Sequence, residues 1–566
     1  MSIVDQLGKQ HSVSDIKRCL SLAASLLINK DAVLNEMQVL GITSSLRGTD
    51  SFISAATSAG KATVFKGTLV LFDLLYNGFG KTRVPAHSRT KFVVIVNSPL
   101  VGLMEEMVDT FNNSVAARTL GLRAVHTHKV DAESNLMHSI CDGNYGLIFT
   151  PPEVYTKPSH PLRQSLARLR NVVLVAIDEA HLVYQWGVKQ GARAAFRGSF
   201  SKVGSSRAVF TGRTPPMTVL SASWTPTDRS SVPKLVGLRQ FAKFDGSAER
   251  FNIRINVQEI EAGSDYAVCD FVQTWMRRFR ECKQGVDMDK TVVFSNNFAL
   301  LTHLNAYISS QLGLIGPPDA NFPVRLFLGT MEEEKSQIIA EFQRVGSRIR
   351  LLLCTSAFGM GMDVPDIRIC TVIMCPRSLA EFYQWLGRAG RDGQFAFCWL
   401  LYQRGELFGI DEDMRSFLDI DDTVSKTCHW DKLIQYFSPT AAKITDRHAM
   451  TCCCWCESQL IRAEKLKRAA GAGAVSPSSQ SPSPRLPLVP VFQTDTPGAS
   501  TVFKRTRALL TPSPSTPSSA VLDEQTEAKR QSVGTFFSRE VPSPVASPSL
   551  SDSPAMRRLE TEFNDL

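Results

Sequence analysis

The chain has 566 residues, 43% hydrophobic and 21% charged, a composition that excludes a fibrous or wholly disordered protein. Its 63 basic and 54 acidic residues leave a net charge of +9, which permits a polyanionic partner without requiring one. No uncharged apolar run reaches the roughly 18 residues of a membrane span, and Cys19–Ile28 lacks the flanks of a signal peptide, so we expect no membrane association and no secretion. The 13 cysteines then predict reduced thiols and allow one metal cluster.

Short, continuous apolar runs recur along the chain in two series, which are separated near residues 235–245. Such runs predict strands that are buried on both faces, and hence parallel sheets in an α/β fold. The runs are Phe92–Asn97, Gly146–Thr150, Asn171–Ile177 and Met217–Ser221, then Thr291–Ser295, Val324–Phe327, Arg350–Cys354 and Cys370–Met374. The two series predict two similar lobes, over residues 1–240 and 241–405.

The composition changes after the second lobe. Residues 406–468 keep helical patterns and are predicted to form a small helical subdomain that could bind zinc. Over residues 469–566, Ser, Pro, Thr and Ala dominate and the apolar periodicity is lost. Such a segment buries too little surface to offset its chain entropy, so we predict a disordered tail.

Small residues precede a helix-like run in the first lobe. The segment consists of Thr57, Ser58, Ala59, Gly60, Lys61, Ala62 and Thr63. The backbone amides of such a loop can cradle phosphates, and Lys61 can reach the terminal ones. Ala62 stands where a magnesium-ligating hydroxyl is usual, and Thr63 is rotated from that position by about 100° around the helix. An ordinary strand-to-helix turn is the alternative interpretation.

Two adjacent carboxylates, Asp178 and Glu179, end the apolar run Asn171–Ile177, and His181 follows them. At the C-terminal edge of a strand, Asp178 can hold magnesium through water while Glu179 polarises the attacking water. The alternative interpretation is a solvated acidic turn.

Two arginines, Arg388 and Arg391, follow Gln384 in the second lobe. Residues three apart share one face of a helix. Guanidinium groups suit the charge that develops on a transferring phosphoryl group. The alternative is a solvated basic helix.

In their order along the chain, these segments resemble the motifs of superfamily 2 helicases, and of the RecQ family in particular, over residues 35–437. The segments are Ser98-Pro-Leu100 (motif Ia), Asp178-Glu-Ala-His181 (motif II), Ser221-Ala-Ser223 (motif III), the run from Cys354 to Asp366 (motif V) and Gln384–Arg391 (motif VI). The resemblance implies two tandem RecA-like lobes that use ATP and Mg²⁺. It also implies movement 3′ to 5′ on single-stranded DNA, unwinding of partly duplex DNA, and a nuclear location.

The resemblance carries the nucleotide-binding roles to individual residues. Gln38 corresponds to the glutamine that reads adenine, and Lys61 corresponds to the lysine that binds the β- and γ-phosphates. Asp178 corresponds to the magnesium ligand, and Glu179 corresponds to the catalytic base.

The roles that link nucleotide to DNA are carried over in the same way. His181 and Gln384 correspond to the relay between nucleotide and DNA. Arg388 and Arg391 correspond to arginine fingers that reach across from the second lobe. Asp363 corresponds to a residue at the nucleotide that couples DNA to closure of the cleft.

Candidate DNA contacts lie in the first lobe. Ser98 corresponds to a contact with the DNA backbone, and Tyr184–Gly187 resembles the start of the family's aromatic-rich loop. The indole of Trp186 can stack on unpaired bases, or it can serve as a buried anchor. The loop departs from the family pattern after Gly187, where Lys189 and Arg193 are available to pair with phosphate.

Five cysteines lie beyond the second lobe, where RecQ proteins carry a four-cysteine zinc site. Cys453 and Cys456 form a Cys-x-x-Cys pair, with Cys428 as a distant third ligand. The candidates for the fourth ligand are Cys452, Cys454 and His448. A decayed site with free thiols is the alternative interpretation.

Two further interpretations concern the whole chain. Lys529–Phe537 in the tail resembles a peptide that binds a sliding clamp. Because of Ala62, the alternative to an active helicase is a degenerate DNA-binding or scaffold protein with little or no ATPase activity. An RNA helicase of the DEAD-box group is disfavoured by the residues of motifs V and VI.

Overall fold

The computed structural model describes residues 11–128, 135–156, 159–188, 195–210, 214–282, 288–314, 322–329, 334–356, 358, 363–420, 427–440 and 449–471. Within these residues, two α/β lobes each contain one parallel sheet, as the apolar runs predict, and a helical segment follows the second lobe. Among the described helices we find none with the length and hydropathy of a membrane span.

Seven strands form the sheet of the first lobe. They are β1 (Asp50–Ser54), β2 (Val93–Asn97), β3 (Ala124–His126), β4 (Leu147–Thr150), β5 (Val172–Ile177), β6 (Met217–Ser221) and β7 (Phe241–Asp245). Their order is β3-β4-β2-β5-β6-β1-β7, and neighbouring strands run parallel. Helices cover both faces, so Val94 and Val96 of β2 join one core while Val93 and Ile95 join another. This two-sided burial explains why the strands are continuously apolar.

Nine described helices accompany this sheet. They are α1 (Val13–Leu27), α2 (Glu36–Leu46), α3 (Ala62–Asn77), α4 (Val101–Asn112), α5 (Val115–Leu120), α6 (Asn135–Cys141), α7 (Pro161–Ala167), α8 (Leu182–Gln185) and α9 (Pro226–Val236). The helix α3 begins directly after the small-residue loop, so the loop connects β1 to a helix N-terminus.

Six strands and four described helices form the second lobe. The strands are β8 (Ile253–Glu259), β9 (Lys290–Phe294), β10 (Val324–Phe327), β11 (Leu351–Cys354), β12 (Ile367–Ile373) and β13 (Ala396–Tyr402). The helices are α10 (Asp270–Glu281), α11 (Phe298–Gln311), α12 (Lys335–Gln343) and α13 (Leu379–Leu386). The strand order is β10-β11-β9-β12-β13-β8, again parallel throughout.

The boundary between the lobes lies slightly later than the sequence predicts. The predicted boundary after residue 240 precedes β7, whose residues pair in parallel with β1. The first sheet therefore ends at Asp245, and the second begins with β8 at Ile253.

The helical segment consists of α14 (Glu412–Phe417), α15 (His429–Phe437), α16 (Ala449–Cys452) and α17 (Cys454–Gly471). It packs on the second lobe, where the Trp430 indole N–H donates to Ile253 O at 3.0 Å and the Phe437 ring stacks on Tyr383 with 4.6 Å between centroids. The carbonyl of Phe437 also accepts a hydrogen bond from Arg229 of the first lobe. The helix α17 continues past residue 469, and the rest of the predicted tail, 472–566, lies outside the described residues.

Candidate active site

The loop between β1 and α3 closes around the side chain of Lys61. Its Nζ donates to the carbonyl oxygens of Ala55 at 3.2 Å and Ala56 at 3.1 Å. The turn requires positive φ at two residues, 63° at Ser58 and 77° at Gly60. Burial lowers the pKa of Lys61, and the charges of Glu179 and Asp178 oppose that shift. The ammonium therefore lies in a partly closed loop, within range of the charges of the two acids.

Gln38 reaches this loop from the first turn of α2. Its backbone N–H and side chain form a capping box with Asn35, with both bonds at 3.0 Å. Its Nε2 also donates to Gly60 O at 3.2 Å, and a Cβ atom on Gly60 would lie 2.5 Å from that nitrogen. Both the positive φ and the close contact thus favour glycine at position 60.

The predicted position of the metal-ligating hydroxyl is the first residue of α3, and it is Ala62. Thr63 donates its backbone N–H to Gly60 O at 3.0 Å. Its Oγ1 would lie 3.7 Å from a Cβ on Gly60, so this hydroxyl lies on the Gly60 side of the loop.

Asp178 and Glu179 occupy the turn after β5. The backbone N–H of Asp178 donates to Asn97 O at 2.9 Å, and the residue is 6% exposed. Burial and the adjacent Glu179 raise the pKa of Asp178 to about 7, and Lys61 opposes the shift. Glu179 has a φ of 47°, a strained conformation for a residue with a side chain. A divalent cation beside Asp178 would supply the positive charge that favours its ionised form.

His181 connects the acids to the second lobe. Its Nδ1 lies 2.7 Å from Ser221 Oγ and 3.3 Å from Glu179 Oε2. Gln384 Nε2 lies 3.0 Å from His181 Nε2 and 3.2 Å from Ser223 Oγ. Since an amide N–H donates, the neutral ring carries its proton on Nδ1. Burial lowers the pKa of His181, which favours this neutral form.

The two predicted arginine fingers, Arg388 and Arg391, follow the C-terminal end of α13. They lie at the crevice between the two lobes, which His181 and Gln384 also line. Arg391 Nη1 forms an ion pair with Asp363 Oδ1 at 2.8 Å. Arg388 is 8% exposed, and burial together with Arg391 lowers its pKa to about 9. The carboxylates that oppose this shift include Glu179 of the first lobe as well as Asp363 of the second. The crevice therefore collects acids from one lobe and guanidinium groups from the other.

The predicted DNA contacts have different surroundings. Ser98 is 1% exposed, so its side chain does not reach the surface. Trp186 is half-buried, and its ring packs edge-on against Phe196 and Phe200 with centroids 5.2 and 5.7 Å away. Lys189 and Arg193 lie outside the described residues.

Phe196 is an aromatic residue that the sequence analysis overlooked. It is 78% exposed on top of Trp186, so it offers a free ring face beside an anchored one. The next residue, Arg197, forms two bonds with Glu153, from Nε at 2.6 Å and from Nη2 at 2.8 Å. Arg197 also donates to Pro99 O, next to motif Ia. The sequence signal that could have identified Phe196 is the Phe-Arg pair that it forms with Arg197, shortly after Trp186.

Four cysteines gather between α15 and α17. The sulfur atoms of Cys428, Cys452, Cys453 and Cys456 all lie within 4.8 Å of one another. Closest pairs measure 3.4, 3.7 and 3.9 Å. A tetrahedral zinc site with bonds of about 2.3 Å separates its sulfurs by about 3.8 Å. The cluster therefore has the dimensions of a zinc site.

The structure selects one of the three candidates for the fourth ligand. Cys452 belongs to the cluster, whereas the sulfur of Cys454 lies 3.4 Å from the Val257 nitrogen on β8. His448 lies outside the described residues.

Models of known protein families match both lobes. The DEAD/DEAH box helicase model matches residues 35–229, and the helicase conserved C-terminal domain matches residues 276–393. Among solved structures, the DEAD-box helicase Mss116 bound to ssRNA and UDP-BeF has a TM-score of 0.53 at 13% identity, covering 83% of this chain and 87% of its own. The DUF1998 helicase MrfA bound to DNA has a TM-score of 0.52 at 15% identity, with 80% and 53% covered. The fold and the site define a superfamily 2 helicase core.

The curated relatives identify the branch of that superfamily. The ATP-dependent helicase wrn-1 of Caenorhabditis elegans is 26% identical over 69% of this chain and 36% of its own length. The ATP-dependent DNA helicase RecQ of Haemophilus influenzae is 25% identical over 64% and 50%. The probable ATP-dependent DNA helicase RecS of Bacillus subtilis is 28% identical over 67% and 68%. The sequence of the chain is RecQ-like, and it spans about half the length of the curated relatives it matches.

Proposed function

We propose that the chain is an ATP-dependent DNA helicase that moves 3′ to 5′ along single-stranded DNA. The observation that carries the proposal is the shared crevice, in which Lys61, Asp178 and Glu179 of the first lobe face Arg388 and Arg391 of the second. The relatives' names support ATP and DNA as substrates. The polarity comes from the family resemblance alone.

Each residue of the crevice has a task in this proposal. Lys61 would bind the terminal phosphates of ATP, and Asp178 would hold Mg²⁺. Glu179 orients the attacking water and takes its proton. The arginines neutralise the charge that develops on the transferring phosphoryl group, which they can do only when the lobes are closed. Hydrolysis then opens and closes the crevice while the opposite rim holds the DNA strand.

The test measures ATP hydrolysis with and without single-stranded DNA, and with RNA as the alternative stimulator. We expect stimulation by DNA and its loss in Glu179→Gln. We also expect Ala62→Ser to raise turnover, because it restores a hydroxyl at the usual magnesium-ligating position. Binding of DNA without stimulated hydrolysis would support the degenerate, scaffold-like alternative, and stronger stimulation by RNA would support an RNA helicase.

Zinc at the cysteine cluster is a second part of the proposal. The support is the close grouping of four cysteine sulfur atoms. Thiolates at these distances repel one another unless a bound cation or protons neutralise their charge. Cys452→Ser should remove zinc from the purified protein, as measured by elemental analysis. The matched control is Cys454→Ser in the next-but-one residue, whose sulfur faces β8 and whose loss should leave the zinc content unchanged. Equal zinc loss in both variants would contradict the assignment.

The remaining proposals are independent of the site. Polarity is tested by strand displacement from duplexes with either a 3′ or a 5′ single-stranded extension. A nuclear location and sliding-clamp binding through Lys529–Phe537 stay predictions from the sequence, because the tail lies outside the described residues. Imaging of the tagged full chain tests the nuclear location. Comparing its position relative to a labelled sliding clamp with that of a variant in which Phe536 and Phe537 are changed to Ala tests clamp binding.

A further inference from the structure

Arg250 lies in the linker between β7 and β8, and its guanidinium group is held between the two lobes. Its Nη1 donates to Thr57 Oγ1 at 3.1 Å and lies 3.4 Å from Thr57 O. Its Nη2 donates to Ala389 O at 3.1 Å and Gly390 O at 2.7 Å. The residue is 8% exposed. One side chain therefore joins the start of the phosphate loop to the segment that carries the two arginine fingers.

The two backbones that Arg250 joins also pack on each other. A Cβ atom added to Gly387 would lie 2.5 Å from Thr57 Oγ1, so the loop and the end of α13 are in close contact. Asn252 adds a second attachment, since its Nδ2 donates to Gly390 O at 2.7 Å. The segment is thus fixed to both the linker and the phosphate loop.

We infer that Arg250 is a positioning residue, which places Arg388 and Arg391 according to the state of the phosphate loop. The inference rests on the proposed function, because it requires nucleotide to bind this loop. Arg388 directly follows Gly387, and Arg391 directly follows Gly390. When nucleotide replaces the carbonyl partners of Lys61 and the loop rearranges, the bonds of Arg250 transmit the displacement to the arginine fingers.

The bridge depends on the planar shape of the arginine side chain. Its two terminal nitrogens face different lobes, one towards Thr57 and one towards Gly390. A lysine has the same charge but a single nitrogen on a flexible stem. The variant Arg250→Lys therefore keeps the charge in the crevice while it breaks the bridge on one side.

The first test compares DNA-stimulated ATP hydrolysis by the wild type and Arg250→Lys. We expect kcat to fall by up to about a hundredfold while KM for ATP changes less than about threefold, because only groups that act in the transition state are displaced. The matched control is Arg350→Lys. Arg350 is 6% exposed, and it donates to Met288 O at 2.9 Å, within the second lobe. An equal loss of kcat in both variants, or a raised KM with kcat unchanged, overturns the inference.

The second test does not depend on hydrolysis. Hydrogen exchange is measured on the full chain with and without AMP-PNP and Mg²⁺. Thermal unfolding checks that each variant is folded, and Arg250→Gln replaces Arg250→Lys if the lysine variant does not fold. In the wild type we expect protection both in the phosphate loop and in residues 384–394. In Arg250→Lys we expect protection of the loop alone. If Arg250→Lys still shows nucleotide-dependent protection in residues 384–394, the inference is contradicted.

The two tests separate this inference from the proposed function. A wild type that hydrolyses ATP but shows protection only in the phosphate loop overturns the role of Arg250. A wild type that shows both protections but hydrolyses no ATP, with or without DNA, overturns the proposed function. A wild type in which nucleotide changes neither segment overturns both.

Discussion

Removing the amide of Gln384 should weaken closure of the crevice and slow ATP hydrolysis. In Gln384→Ala, the interlobe hydrogen bonds to His181 and Ser223, at 3.0 and 3.2 Å, are lost. Neutral hydrogen bonds contribute about 0.5–1.5 kcal/mol each, so the closed form loses about 1–3 kcal/mol relative to the open form. That range corresponds to a reduction of about 5- to 150-fold in the closure equilibrium. We expect kcat to fall within this range, because only closed molecules complete the site.

The assay is steady-state ATP hydrolysis at saturating single-stranded DNA, with the midpoint of urea unfolding as a check on folding. The matched control is Gln403→Ala. The side chain of Gln403 also forms hydrogen bonds, with Gly263 N at 3.0 Å and Ser264 O at 2.7 Å, but both lie within the second lobe. We expect Gln403→Ala to lose stability and keep its kcat. A kcat for Gln384→Ala within twofold of the wild type, or an equal loss in the control, would refute the reasoning.

Three further predictions concern DNA binding, the lobe junction and pH. Phe196→Ala should weaken single-stranded DNA binding about 5- to 150-fold in a fluorescence anisotropy titration, since one stacked base contributes about 1–3 kcal/mol. Arg229→Met should lower the free energy of unfolding by about 2–3 kcal/mol in urea titrations, because Asp245 loses a buried partner at 2.6 Å and keeps only the half-exposed Lys243 at 3.1 Å and the Thr440 hydroxyl among the described residues. Acidification from pH 7.5 to 5.5 should destabilise the wild type more than His181→Gln. Burial lowers the pKa of His181, so below about 6.5 the unfolded chain binds a proton that the folded chain does not.

Each of these predictions has a control. Phe408→Ala, at a phenylalanine that is 96% exposed between β13 and α14, should leave DNA binding unchanged. Arg344→Met, which breaks a surface pair with Glu341, should leave stability unchanged. Equal effects in a variant and its control would contradict the first two predictions. An equal loss of stability on acidification in the wild type and His181→Gln would contradict the third.

The sequence predicts the central strands well because they are buried on both faces. The runs at β6 and β10 match the observed strands at both ends, and most of the others differ by a residue or two. The strand β8 was missed because apolar and polar residues alternate along it. Arg254 on β8 is 1% exposed all the same, since Glu457 of α17 pairs with it and Asn256 accepts from its Nε at 3.1 Å. Its polar face is covered by a helix whose Glu457 lies 203 residues after Arg254, and no local pattern reveals that.

Some residues of the candidate site could be predicted from short sequence motifs, and others could be recognised only in the folded structure. Lys61, Asp178 and Arg388 stand in motifs whose chemistry is visible in short segments, and the structure brings them to one crevice. The roles suggested for Arg250 and Cys452 depend on what lies opposite them in space. Arg250 is recognisable only once Thr57 and Ala389 lie on either side of it. Predicting such residues from a sequence requires the relative placement of the two lobes.

The contact between α15 and the first lobe bears on how shorter forms of the protein are designed. A fragment that ends with the second sheet would lack Phe437, whose carbonyl accepts from Arg229 beside Asp245. It would also uncover the apolar face of Tyr383, which the Phe437 ring covers. Such a fragment would be prone to aggregate and would have a loosened junction between the lobes. For crystallography or drug screening, the smallest sound unit therefore extends at least through α17.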